Sequence, residues 1–170
     1  NLRRISADSG VSTNSIYTRF GDKSGLFSAV VKPAADGLME IYLGSISEAS
    51  VRGSANTAID MGGDGTEQVL KYIYDNLDAF RLIFCNSAGT EYEDYFDRLA
   101  ETEEKFYRDF VRKYAKEPQK ISDFFIHVVC RTGWQYVFEV VSHDIPYEEA
   151  QGFMKSIREY SFAGWKRVME

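Results

Sequence analysis

The chain has 170 residues, 44% of them hydrophobic and 27% charged, which suits one soluble domain or a domain with a small appendage and excludes a disordered tail. Twenty basic and 26 acidic side chains leave a formal charge of −6, which excludes a chain coated in positive charge but not a local basic patch. No stretch approaches the ~18 apolar residues of a bilayer span, and no basic-then-apolar leader is visible. Apolar residues recur at i, i+3, i+4 nearly throughout, so an all-α chain is expected. Breaks are expected at Gly10, Gly21-Asp22, Gly53–Gly65, Ser87–Thr90, Lys116–Lys120 and His143–Pro146.

Asn1–Ala7 reads as a helix already under way, with Leu2, Ile5 and Ala7 on one side. Ser9-Gly10-Val11 is a tight turn, and Ser12 fits an N-cap. The next helix, Thr13–Phe20, is about two turns long. Ile16 and Phe20 are expected to point inward with Val11. Thr13, Asn14, Ser15, Tyr17, Thr18 and Arg19 stay outside. Small hydrogen-bonding groups with one phenol and one guanidinium suit base edges and phosphates in a major groove. Helix, glycine turn and short polar-faced helix together form the pattern of a helix-turn-helix.

The run from Ile5 to Phe27 closely resembles the DNA-binding signature of the TetR family, Ile-Ala-x-x-Ala-Gly-Val-Ser-x-x-x-Leu-Tyr-x-x-Phe-x-x-Lys-x-x-Leu. Ile5, Gly10, Val11, Ser12, Ile16, Tyr17, Phe20, Lys23 and Leu26 match it. Ser6 and Ser9 replace alanines, Arg19 stands where Tyr or His is usual, and Gly25 falls inside the following helix. The resemblance covers Leu2–Val31, about a fifth of the chain; the rest is alike only in length and helical character. It implies a further basic helix before Asn1 and a lysine, here Lys23, on backbone phosphate at a helix N-terminus. The expected DNA-contacting set is Arg4, Ser12, Thr13, Asn14, Ser15, Tyr17, Thr18, Arg19 and Lys23. Tyr17 and Lys23 would lie on phosphates, with Thr13, Asn14 or Ser15 nearest the bases.

Asp22 can cap a long helix carrying Leu26, Phe27, Val30, Val31, Ala34, Leu38 and Ile41 on one stripe. Pro33, followed by Gly37, either bends this rod around the core or hinges a sensor to the DNA-reading end. The glycine-rich stretch Gly53–Gly65 reads as a connector; Asp60–Gly65 lacks the alternating carboxylates and closing Glu of a calcium loop. Thr66–Phe80 is a helix, and the apolar Ala79–Asn86 should lie deep in the body. Thr90-Glu-Tyr-Glu93 has the form of a capping box opening a helix to about Tyr114. Its stripe is Tyr92, Phe96, Leu99, Phe106, Phe110 and Tyr114, with Glu103 in the middle and Glu101 and Glu104 on the outer face. Glu103 therefore needs either an internal partner or a cavity.

Lys120–Ser142 is apolar nearly all round, and Tyr147–Met169 carries a second stripe with small residues that permit close approach. One small domain cannot cover both, so a two-fold homodimer through these last two helices is expected, as the resemblance also implies. The interface candidates are Val137 and Val141 on the first helix, and Phe153, Ile157, Tyr160, Ser161, Gly164 and Val168 on the second. For a ligand pocket the candidates are Tyr74 and Phe84; Tyr92, Phe96, Leu99, Glu103, Phe106 and Phe110; and Phe125, Val129 and Trp134. Aromatic walls with one central carboxylate favour a flat apolar or cationic compound. Cys85 and Cys130 read as reduced core residues of a cytoplasmic protein, and neither His127 nor His143 has metal-ligand spacing.

The sequence thus predicts residues 1–31 as a helix-turn-helix DNA-binding domain and 32–170 as a helical ligand-binding and dimerisation domain. The function expected is a dimeric transcriptional regulator, a repressor that binds a palindromic operator and leaves it when a small molecule enters the body. The alternative is a DNA-binding or scaffolding protein of the same fold with no ligand. No nucleophile–base pair, phosphate loop or metal cluster points to an enzyme, a cofactor or a metal.

Overall fold

The computed structural model describes the backbone of residues 1–51 and 55–170 and the side chains of residues 1–48 and 65–170. The described residues are all helical. They form α1 (Leu2–Ser9), α2 (Thr13–Phe20), α3 (Lys23–Val51), α4 (Ala55–Asp75), α5 (Leu77–Asn86), α6 (Tyr95–Tyr114), α7 (Asp123–Ser142) and α8 (Tyr147–Met169). A single 3₁₀ turn, Pro118–Lys120, joins α6 to α7. No helix among them is long and apolar enough to cross a membrane.

Local chemistry sets the first boundaries. Gly10 ends α1 at φ 70°, a conformation that favours glycine. Ser12 then caps α2, its hydroxyl accepting from the Ser15 N–H at 3.1 Å. Asp22 accepts from the Gly25 N–H at 2.8 Å and starts α3. A Cβ at Gly25 would run into the Phe20 carbonyl, so the glycine that departs from the family pattern is what lets α3 start beside the end of α2. Pro33 lies inside α3 without ending it.

Several expected boundaries are overturned. The connector Gly53–Gly65 is largely helix, because α4 begins at Ala55; the side chains of the calcium-like stretch Asp60–Asp64 lie outside the described residues. Glycine costs ~1 kcal/mol in a helix, and packing of α4 against α3, α5 and α8 overrides that cost. Gly65 serves the packing: a Cβ there would stand 3.0 Å from Ser45 Cβ on α3. The expected helix Thr66–Phe80 breaks at Asn76, whose amide donates to the Tyr72 carbonyl at 2.9 Å. The expected capping box forms a turn instead. Thr90 Oγ1 donates to the Ser87 carbonyl at 2.7 Å, Glu93 accepts from the Gly89 N–H at 3.0 Å, and α6 starts at Tyr95.

α1 packs on α2 and α2 on α3, while α3 runs on to meet α4, α5 and α6. The body holds two apolar clusters. The larger draws Val31 and Leu38, Leu70 and Ile73, Phe80 and Ile83, Leu99, Val141 and Ala150 from α3 to α8. The smaller gathers Phe110, Val111, Ile126, Cys130, Trp165 and Met169 from α6, α7 and α8. Complete burial of side chains of this size stabilises by ~1.5–3 kcal/mol each. Four placements differ from expectation. Val11 and Val30 are exposed, because no element among the described residues covers them. Cys85 is exposed in the last turn of α5, whereas Cys130 is buried. Glu104 is buried, since α6 is covered by α7 on the side expected to face solvent.

Candidate functional site

Two regions gather the expected functional residues. At the amino-terminal end, Asn14, Ser15, Tyr17, Thr18 and Arg19 are exposed on α2, Thr13 is half-buried, and only Ile16 is buried. Ser12 is committed to its cap and also shares a 2.8 Å hydrogen bond with the Ser15 hydroxyl, so neither hydroxyl is wholly free. Arg4 reaches Asp8 at 3.7 Å in an exposed pair of little energetic weight. Lys23 is exposed at the first turn of α3. Residues 1–31 carry four basic and two acidic side chains; the remaining 139 carry sixteen and twenty-four. The acidity of the chain thus resides in the body, and its amino-terminal end is net positive.

The second region is a partly open cavity of about 220 Å³ between the two apolar clusters. α3 contributes Tyr42, Ser45 and Ile46, and α4 contributes Gly65, Thr66 and Val69. Glu103, Phe106, Tyr107 and Phe110 come from α6, and Gly133, Trp134, Tyr136 and Val137 from α7. α8 closes it with Met154, Ile157, Arg158, Ser161, Phe162 and Trp165. A cleft of about 300 Å³ between α4 and α8 adjoins it and shares Thr66, Met154 and Arg158.

Glu103 is the acidic group of this lining. It is half-buried and lines the cavity. Burial pushes its carboxyl up to about 8; the nearby Trp134 and Tyr42 favour the charged form and oppose that rise. Trp134 Nε1 is buried and completes no hydrogen bond among the described residues. The Tyr42 ring meets the Trp134 ring edge-on, with centroids 5.1 Å apart. Glu104, the next residue, is the opposite case. Arg108 Nη2 reaches it at 2.9 Å and His127 Nδ1 at 2.8 Å.

Of the expected pocket residues, Glu103, Phe106, Phe110 and Trp134 line the cavity and the others do not. The Tyr74 hydroxyl donates to the Ile145 carbonyl at 2.7 Å, on the far side of the body. Phe84 on α5 and Tyr92 in the turn before α6 belong to the larger cluster, as do Phe96 and Leu99, because the first turns of α6 serve the core. Phe125 packs on the outer edge of Trp165, and Val129 supports the smaller cluster. The cavity instead takes Val137, Ile157 and Ser161, which were expected at a dimer interface. Val141 is likewise spent, fully enclosed in the larger cluster. Tyr42 and Tyr107 were missed; the i, i+4 spacing from Glu103 to Tyr107 was the available signal for one of them.

Phe153, Tyr160, Gly164 and Val168 remain exposed along α8, and Phe124, Phe125 and Val128 along α7. Phe124 and Tyr160 are 74% and 72% exposed, far from what large rings adopt in an isolated core. No family model, no curated protein and no solved structure matches the chain.

Proposed function

We propose that the chain is a dimeric DNA-binding transcriptional regulator of the TetR kind, a repressor that a small molecule releases from its operator. The observation that carries this reading is the path of α3. Lys23 opens it beside the exposed polar face of α2, and Tyr42, 19 residues on, lines the cavity. That is about 28 Å along one helix. Between them Val31, Ala34, Ala35 and Leu38 are buried in the body, and Tyr95 ties α6 to the Ala35 carbonyl at 2.7 Å. A molecule that displaces Tyr42 therefore acts on the same rod that carries the reading end. The cavity favours this reading over a ligandless protein of the same fold. The exposed rings of α7 and α8 supply the two-fold contact.

Selection from random duplex DNA tests the proposal. A palindrome is expected, with half-sites ~34–36 Å apart or a multiple of that. Phe124→Asp should leave the fold intact, convert dimers to monomers in sedimentation and lower operator affinity. Recovery of no preferred sequence, or a wild type that sediments as a monomer at micromolar concentration, refutes it.

A further inference from the structure

We propose that the cavity takes a compact organic cation, an amine or quaternary ammonium on an apolar body of one or two rings, with Glu103 as its counter-ion. The inference deepens the reading of the body as a ligand sensor and rests on it for its biological meaning.

Three observations converge. The first is charge: Glu103 lines the cavity, and no basic side chain pairs with it among the described residues. Arg158, the basic residue of the lining, stands exposed where the cavity meets the outer cleft. The second is a donor short of a full bond: Trp134 is 4% exposed and lines the cavity, and its Nε1–H stands near Glu103 without completing a hydrogen bond among the described residues. Buried polar groups are ordinarily satisfied, and a cation that holds Glu103 ionised makes the carboxylate beside this donor a stronger acceptor for it. The third is the wall. Tyr42, Phe106, Tyr107 and Trp134 line the same cavity as the carboxyl, and rings attract cations within ~6 Å of their centroids.

Size limits the occupant. A dry apolar cavity of ~150 Å³ holds benzene. About 220 Å³ therefore admits a single ring with a bulky substituent or a small fused pair. Gly133 contributes to that space: a Cβ there would come within 3.9 Å of Glu103 Oε2.

Binding should expel a proton. In the empty cavity the Glu103 carboxyl, pushed up to about 8, is mostly neutral at pH 7. A cation beside it favours the charged form, so the proton leaves as the ligand enters. Tyr42 on α3, Tyr107 on α6 and Cys130 on α7 are all raised by burial and keep their protons over this range; Arg158 on α8 is the basic residue of the lining.

The test uses phenyltrimethylammonium and its uncharged isostere tert-butylbenzene. Neither has a titratable group, so any pH dependence belongs to the protein. Both tryptophans of the chain, Trp134 and Trp165, line the cavity, so intrinsic fluorescence reports occupancy. The cation should bind the wild-type chain more tightly than the isostere. Its affinity should rise roughly tenfold from pH 6 to pH 7 and level off above pH 8. Calorimetry in buffers of different ionisation enthalpy should show release of close to one proton at pH 6.5. Glu103→Gln should lose at least about tenfold in affinity for the cation, and all of its pH dependence, while keeping the isostere. Equal binding of the two probes by the wild type, or cation affinity unchanged between pH 6 and pH 8, overturns the proposal. These wild-type comparisons decide the matter even if the variant fails to fold. Operator binding is measured separately without probe, so a chain that binds the cation but no DNA refutes the regulator and leaves the cation site standing.

Discussion

The two ends of α3 stand in opposite surroundings. At its start, α1 and α2 together bury one side chain, Ile16, and owe their ends to Ser12, Gly10, Asp22 and Gly21. Further along, α3 is packed against three helices of the body, α4, α5 and α6, and supplies Val31, Ala34, Ala35 and Leu38 to its larger core. Marginal local stability leaves a surface free to be polar and charged; dense packing leaves a fixed frame in which one unfilled space carries meaning. Mutations should sort along this division.

The largest difference is expected between Phe80 and Val11. Phe80 is 0% exposed, with ring centroids 6.1 Å from Tyr72 and 5.7 Å from Phe84. Phe80→Ala should cost about 3–5 kcal/mol, the usual range for emptying a core ring site. Val11, 47% exposed, should lose under about 0.5 kcal/mol on the same truncation. Urea titration of both variants checks the division. Equal costs would mean that Val11 is covered by something the described residues do not include, and the comparison of the two regions would fail.

A finer contrast lies inside the body, between two adjacent glutamates. Glu104 holds Arg108 and His127, and its side chain is 6% exposed. Glu104→Ala should cost about 1–3 kcal/mol, because it removes the hydrogen bonds to Arg108 and His127, although Arg108 keeps Asp123 at 3.6 Å. Glu103→Gln removes a carboxyl that has no basic partner among the described residues and should change stability at pH 4, where both side chains are neutral, by under about 1 kcal/mol. The pH dependence separates them further. Folded, Glu103 keeps its proton to about pH 8; unfolded, it releases it near 4.5. The folded state then binds more protons between those values, so stability is full below pH 4.5 and declines as pH rises toward 8. The slope is at most about 1.4 kcal/mol per pH unit. In Glu103→Gln that slope should vanish, as denaturant midpoints from pH 5 to pH 8 will show.

These two glutamates also mark where the sequence stops being legible. The turn at Gly10, the cap at Ser12 and the start of α3 depend on contacts within a few residues, so their chemistry is visible in the chain. A helical wheel likewise fixes the angle between Glu103 and Glu104 without saying which neighbour covers each. α7 covers Glu104 and a gap between two clusters receives Glu103, and both arrangements depend on residues far away in sequence. The same limit explains Val137, Ile157 and Ser161. An apolar or small residue on a two-sided helix suits an interface and a cavity wall equally well. Glycines around position 62 signal a local cost, and the long-range packing that offsets it leaves no mark nearby. Tyr42 was hidden because its own stripe on α3 is read as core.

The smallest effect on stability is expected at the reading end itself. Lys23 is exposed, makes no hydrogen bond or ion pair among the described residues, and stands at the first turn of α3 beside the basic amino-terminal segment. Lys23→Ala should leave the unfolding midpoint within about 0.5 kcal/mol of wild type. Its consequence should appear in DNA binding alone. A lysine on phosphate releases about one counterion, so the slope of log affinity against log salt should become shallower by ~0.9. The loss should be the same for the preferred operator and for scrambled duplex, because a phosphate contact carries no base information. Fluorescence anisotropy on both duplexes at several salt concentrations distinguishes the outcomes. A changed operator preference with an unchanged slope would place Lys23 on a base edge. An unchanged affinity for both duplexes would remove α2 and the start of α3 from the DNA-contacting surface.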